Sequence, residues 1–346
     1  MQTNFKLITL GLLFFTSFLQ AEEDEIIVLE KKISNLSGWS ESVSLSSIDS
    51  FELNKLDAQH PKQIFRRLPG IWISRGSGQE HLTAMRSPVL TGPGACGSFL
   101  ILEDGIPVRP AGFCNVNGLF ETAFEISGGI EAITGPASSR YGANAMHGVI
   151  NVISKPLKDE NNISTNLGPN GYRNIKAKLG NQSNWSLNVF GTSNDGFREF
   201  SGYDQQKLKM RSDFQLNSWT ASLNMTLTNL NQETAGYITG LNSYKESNLN
   251  RKNLNPEAFR DANSQRISLN LKREEENGIS LLSPFIRKND MVFLQHFLPG
   301  TPVEENSHVS YGVLFKRFLN FEHYSLIGGL QIEMADAELV ETQANA

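Results

Sequence analysis

The stretch from Ile130 to Pro156, IEAITGPASSRYGANAMHGVINVISKP, decides how the rest of the chain is read. It sets turn formers around Tyr141 (Gly135-Pro136, Gly142 and Gly148) and closes on an apolar run, Val149 to Ile153, that reads as a strand. These glycines, with Gly128 and Gly129 just before, suit tight turns and close backbone approach, and serve equally as loop punctuation.

Upstream the signals are mixed. Residues 49–68 read as helix, with Asp49 or Asp57 as cap, Pro61 splitting it in two and Pro69-Gly70 stopping it. Strands follow at Ile71–Ile73 and Leu82–Arg86, then Phe99–Leu102 and Ile106–Val108 joined by Asp104-Gly105, a pair suited to the positive φ of a tight hairpin. Ser74–His81, Ser87–Gly97 and Arg109–Gly118 carry loop signals. Downstream the pattern changes to period two. Trp185, Leu187 and Val189 alternate with Ser186 and Asn188, and Leu208 and Met210 with Lys207, Lys209 and Arg211. Leu223, Met225 and Leu227 alternate with Ser222, Asn224 and Thr226, and the same holds around Ile267, Tyr311 and Leu326. Such alternation means half-buried antiparallel strands. It fits a soluble sandwich with the apolar face inward, or a transmembrane β-barrel with that face toward lipid.

The 346 residues carry 31 Lys+Arg against 36 Asp+Glu, a net charge of −5, which argues against nucleic acid as the main partner. Residues 1–21 read as a cleaved signal peptide: Lys6, an apolar stretch Leu7–Leu19, and Ala21 before an acidic run. Export puts Cys96 and Cys114 in an oxidising space, where a disulfide is expected. A catalytic thiol is the sharper alternative, but no His stands near either Cys in sequence. The six histidines have no HExxH or paired-ligand spacing and no GxSxG occurs, so neither an enzyme nor a metal site nor a cofactor is expected.

Three segments resemble the TonB-dependent receptors: Gln63–Ile73 (QIFRRLPGIWI), Phe99–Val108 (FLILEDGIPV) and the opening stretch, which is similar to the family's IE-x-I-x-GP…YG…GVINIITK signature. The resemblance implies an α+β plug domain over residues 49–156, followed at 157–346 by the N-terminal part of an antiparallel transmembrane β-barrel. It also implies a flexible lead-in at 22–48 holding a TonB box, Glu25, Ile26, Ile27, Val28 and Leu29. The expected role is TonB-dependent uptake of a scarce nutrient across the Gram-negative outer membrane, with a ferric siderophore or other iron complex foremost and haem or cobalamin as alternatives. The partners implied are TonB at the periplasmic face, a small metal chelate and outer-membrane lipid. Arg75, His81, Arg109, Phe113 and Asn115 become candidate ligand contacts on the plug's apical loops, which Cys96–Cys114 would staple together. Arg86 and Arg140 would pair with wall carboxylates. The departures are Ser87 after Arg86, Thr134 before Gly-Pro, and a TonB box without its usual Thr. At roughly 20 residues per strand and loop, the remainder holds about nine or ten strands, too few for the family's barrel of about 22. The expectation is therefore an N-terminal fragment, the alternative a receptor-like binding or signalling protein without a complete channel.

Overall fold

In the computed structural model, residues 44–92 and 96–343 are described. The signal segment, the lead-in as far as Val43 and the expected TonB box Glu25–Leu29 lie outside them. The N-terminal domain runs β1 (Ser44–Asp49), α1 (Ser50–Leu56), α2 (Pro61–Phe65), β2 (Ile71–Ile73), β3 (Thr83–Met85), β4 (Leu100–Glu103), β5 (Ile106–Pro107), β6 (Gly129–Thr134), α3 (Ser138–Tyr141) and β7 (Gly148–Ile153). Five strands form one sheet in the order β1-β6-β7-β4-β5, in which only β4 and β7 are parallel; β2 and β3 pair separately.

The helical region is split as Pro61 requires. Asp49 caps α1, its Oδ1 accepting from Glu52 N at 2.9 Å, while Asp57 ends that helix at φ 40°. His60 caps α2 and Gln63 closes a capping box back onto His60 N, with Pro61 at the start of the helix. The sheet is covered on both faces, so β6 is buried throughout. Ile48, Ile64, Phe65, Ile101 and Ile150 pack on one side, and Leu100, Leu102, Ile133, Tyr141 and Val149 on the other. This is why the opening stretch shows apolar runs rather than alternation. Gly148 is required at its place: its φ is 145°, and a Cβ there would lie 2.2 Å from both Ile133 O and Met85 Sδ. Its close approach is inside the sheet, not toward the wall. The sheet also takes in Ser44–Ile48, which the sequence reading assigns to the lead-in. Ile48, 3% exposed, pairs with Ile130 and anchors that strand in the core.

The rest is a meander of nine antiparallel strands: β8 (Glu160–Leu167), β9 (Arg173–Asn181), β10 (Trp185–Asn194), β11 (Tyr203–Leu216), β12 (Trp219–Glu233), β13 (Phe259–Glu275), β14 (Gly278–Leu294), β15 (Val303–Asn320) and β16 (Ser325–Thr342). Among the described residues β8 and β16 remain its two edges. Burial settles the choice between sandwich and barrel. Ser186, Asn188, Lys207, Lys209, Ser222, Asn224, Thr226 and Arg287 are buried, whereas Leu223, Ile267, Ile286, Tyr311, Leu330 and Ile332 are exposed. The array is inside out: its polar face closes on the plug and its apolar face points away, as lipid contact requires and a soluble sandwich forbids. Among the described residues no helix is long and apolar enough to cross a membrane.

Ile286, outward on β14 and 49% exposed, tests this orientation. Ile286→Arg is expected to destabilise the vesicle-inserted protein by about 2–4 kcal/mol if the residue lies near the bilayer midplane. Urea titration in lipid vesicles measures it; a loss within about 0.5 kcal/mol, as at an ordinary solvated surface, would contradict the assignment.

Candidate functional site

The two ends of the wall differ. Connections 182–184, 217–218, 276–277 and 321–324 are tight turns; 168–172, 195–202, 234–258 and 295–302 are longer loops at the opposite end. The plug's 74–81 loop reaches the long-loop end. Gln79 N donates to Gln232 Oε1 at 2.9 Å, Gln232 Nε2 to Glu80 Oε1 at 3.0 Å, and Arg260 Nε to Glu80 Oε1 at 2.6 Å. Asp104-Gly105 lies toward the other end, where Asp104 Oδ1 accepts from Ser154 N at 2.7 Å and its carbonyl from Asn270 Nδ2 at 3.4 Å. Both turn residues have positive φ, 51° and 81°.

Between the 74–81 loop and the loops after β8, β10 and β12 is a cavity of about 470 Å³. Arg75, Gly76, Ser77 and Gly78 line it from the plug, and Tyr172, Phe197, Arg198, Tyr203 and Tyr237 from the wall. Arg198 is fixed by donating from Nε to Lys252 O at 2.7 Å, and the Arg251 guanidinium sits 4.0 Å from the centre of the Phe197 ring. Guanidinium groups and aromatic faces together suit a flat, oxygen-rich, anionic guest.

The five plug residues singled out by sequence divide. Arg75 is exposed and lines the cavity. Phe113 is half-buried, its ring 4.9 Å from that of His308 on β15. His81, Arg109 and Asn115 are 2%, 7% and 1% exposed. Arg109 is paired with Glu121, Nη2 to Oε1 at 2.5 Å, and also donates to Cys114 O. Asn115 N donates to Cys96 O at 3.1 Å, beside the Cys96–Cys114 disulfide that joins the second and third loops. Arg86 donates to Ser44 Oγ at 3.1 Å rather than to a wall carboxylate.

Among the described residues, the following plug–wall ion pairs run with the opposite polarity to that expected of Arg86. Asp57 pairs with Lys176 at 2.6 Å, Glu80 with Arg260 at 2.6 Å, Glu103 with Lys209 at 3.0 Å and Arg266 at 2.6 Å, Asp104 with Lys209 at 2.9 Å, and Glu125 with Lys207 at 2.8 Å. In each the plug supplies the carboxylate and the wall the cation. Burial pushes Glu103 up, but Lys209 and Arg266 outweigh it and hold its carboxyl well below the usual range. Burial likewise raises Glu121, and Arg109 overcomes it. At Glu125 burial prevails over Lys207 and the carboxyl is pushed up. Sequence reading passed over the wall cations and the cavity's tyrosines. The available signal was Lys207, Lys209 and Arg211 on the face opposite Leu208 and Met210.

Against known proteins, residues 39–149 match the TonB-dependent Receptor Plug Domain family. The chain is similar in fold to the ferric yersiniabactin uptake receptor FyuA from Yersinia pestis (TM-score 0.66, 15% identity, 86% of this chain and 49% of that one). It is also similar to the ferric citrate transporter FecA (0.68, 14%, 86% and 48%) and to the copper transporter OprC (0.65, 12%, 87% and 47%). Residues 39–149 are thus a plug domain of the TonB-dependent receptor type, and the nine antiparallel strands that follow share the fold of those receptors' barrels. The chain spans about half the length of these solved receptors.

His60 and His81 fasten the base of the 74–81 loop as neutral rings 6.2 Å apart. His60 Nδ1 accepts from Lys62 N and Nε2–H donates to Glu80 O; His81 Nδ1–H donates to Gln79 O and Nε2 accepts from Leu119 N. Burial is the main force lowering them, to about 3 and about 4 from 6.5. The unfolded chain therefore binds protons first. Their contribution to stability is whole above pH 6.5 and declines as pH falls toward about 4. Protection of the amides in residues 74–81, taken relative to intrinsic exchange at each pH, should fall between pH 6.5 and 5, before the carboxylates titrate, and less so in His81→Gln. A flat profile over that interval would refute the neutral pair.

Proposed function

We propose that the chain is the plug and first barrel strands of an outer-membrane receptor that takes up a scarce nutrient, an anionic iron chelate foremost, with energy delivered through TonB. The observation that carries the reading is the outer cavity walled jointly by plug and barrel loops, with Arg75, Arg198 and three tyrosines facing one space. The ferric yersiniabactin uptake of FyuA and the ferric citrate transport of FecA support an iron complex, and the copper transporter OprC marks other metals as candidates. The coverage of about half those receptors supports reading this chain as the N-terminal part of such a protein. Neither a bound cofactor nor catalysis enters the proposal.

In this reading Arg75 and Phe113 are the plug's ligand-facing residues. His81, Arg109, Asn115 and the disulfide hold the loops that present them, which lowers the entropy lost on docking. Glu25–Leu29, an extended apolar segment, would engage TonB by strand addition. Export and an outer-membrane address belong to the same proposal and follow from Met1–Ala21 and the lipid-suited wall face.

A deletion strain supplied separately with ferric siderophores, haem, cobalamin and copper should lose growth or uptake on one of them; loss on none removes the uptake reading. Arg75→Ala should weaken binding of an anionic chelate roughly ten- to a hundredfold, the worth of a charged hydrogen bond. Titration calorimetry measures it, and undiminished affinity would exclude Arg75. Ile27→Pro should abolish uptake while sparing binding. Binding without uptake in the unaltered protein would instead favour a receptor without a transport channel.

A further inference from the structure

The wall cations are not scattered. Thr226 pairs with Lys209 on one side and Arg266 on the other, and Arg266 pairs directly with Arg287. Lys209, Arg266 and Arg287 therefore stand in one cross-strand row on the inward face, spanning about 14 Å of wall at the usual strand spacing. All three are buried, at 2%, 6% and 1% exposed. Like charges directly opposite one another destabilise a sheet, and nothing in the strand pairing demands two arginines there.

What neutralises the row comes mostly from outside the wall. Glu103 of the plug, itself 5% exposed, places one carboxylate oxygen 3.0 Å from Lys209 Nζ and the other 2.6 Å from Arg266 Nη2. Arg287 is met by Pro107 O from the plug and by Glu333 of β16. Arg266 keeps a donor in reserve: its buried Nε has no hydrogen-bond partner among the described residues. Lys207, one inward position nearer the loop end, is held in the same way by Glu125.

We propose that the Lys209–Arg266–Arg287 row is an anion station of the receptor's interior, occupied at rest by the Glu103 carboxylate and able to take a carboxylate-bearing ligand in its place. A ligand passing inward from the outer cavity along this face has to displace the plug segment that holds Glu103. Doing so takes Glu103 and the adjoining Asp104 from Lys209 and Arg266 together, while Arg287 keeps Glu333 of the wall, so a cargo carrying carboxylates meets the charge it replaces, whereas a neutral or cationic one does not. The station's part in passage rests on the uptake reading above; its capacity to bind an anion does not.

The test uses the full chain in detergent micelles with Glu103→Gln, titrated with citrate and, at equal ionic strength, with sodium chloride, while the unfolding midpoint is followed by circular dichroism. The variant should unfold several degrees below the unaltered chain. Citrate should raise its midpoint back toward that of the parent and chloride should not, and citrate should move the variant more than the parent, whose response is limited to the outer cavity. Adding Arg266→Gln should abolish the rescue. Equal effects of citrate on variant and parent, or a citrate effect no larger than that of chloride, overturns the station. If Glu103→Gln does not fold unaided, its recovery in citrate-containing but not chloride-containing buffer is the supporting result, and recovery in neither overturns it. Rescue by citrate in a protein whose deletion affects no uptake would remove the receptor reading and leave the station standing.

Discussion

The seating of the plug depends on one buried carboxylate. Glu103 ends β4 and simultaneously accepts from Ala123 N at 3.1 Å, Lys209 and Arg266. It thereby fastens two plug segments to two wall strands. Such a group is weak evidence of net stability, because desolvating it is expensive. Removing it alone would still leave Arg266 buried without a carboxylate and Lys209 with Asp104 only, a change worth about 3–5 kcal/mol. The four other plug carboxylates repeat the theme, Glu125 in the same buried layer and Asp57, Glu80 and Asp104 nearer solvent, and the shared polarity fixes which surface faces which. A plug turned or slid against this wall would set acids against Ser, Thr and Asn rather than Lys and Arg.

That polarity also explains a composition that looks unremarkable. The cations face inward, screened by the plug, while much of the outward face of the strands is apolar. Aromatic residues gather at the tight-turn end, with Trp185 and Trp219 opening their strands and Phe321 stacked on Tyr324 at 4.6 Å in the last turn. Tight turns at that end leave the opposite end free for long loops, and the plug's 74–81 loop reaches up to meet them. The outer cavity is a product of that asymmetry.

Much of this was legible in the sequence, and the part that was not has a common cause. Pro61 and Asp104-Gly105 act through local backbone geometry, so the helix break and the hairpin fall where their residues stand, whereas the second helix already ends at Phe65, short of Pro69-Gly70. The period-two segments announce strands for the same reason. The direction of the apolar face was open because alternation is symmetrical between lipid outside and core inside. His81, Arg109 and Asn115 were expected as ligand contacts on the apical loops, yet each is buried, because their partners include Leu119, Glu121 and the Cys96 carbonyl, reached only by folding the loop back. The wall lysines were visible as the polar half of β11. Their burial was not, since the acids that permit it lie far away in the chain: Arg266 is 163 residues from Glu103.

Those separations have a consequence in time. Every wall strand pairs with its chain neighbour, so the meander can be laid down hairpin by hairpin with short loop closures. The plug is synthesised first, but Glu103 and Glu125 meet their cations only when β11 and β13 exist, 82 or more residues later. Until then both carboxylates need water. The plug therefore has to arrive at the wall still hydrated along that edge, and expelling the water becomes one of the last steps of assembly rather than one of the first.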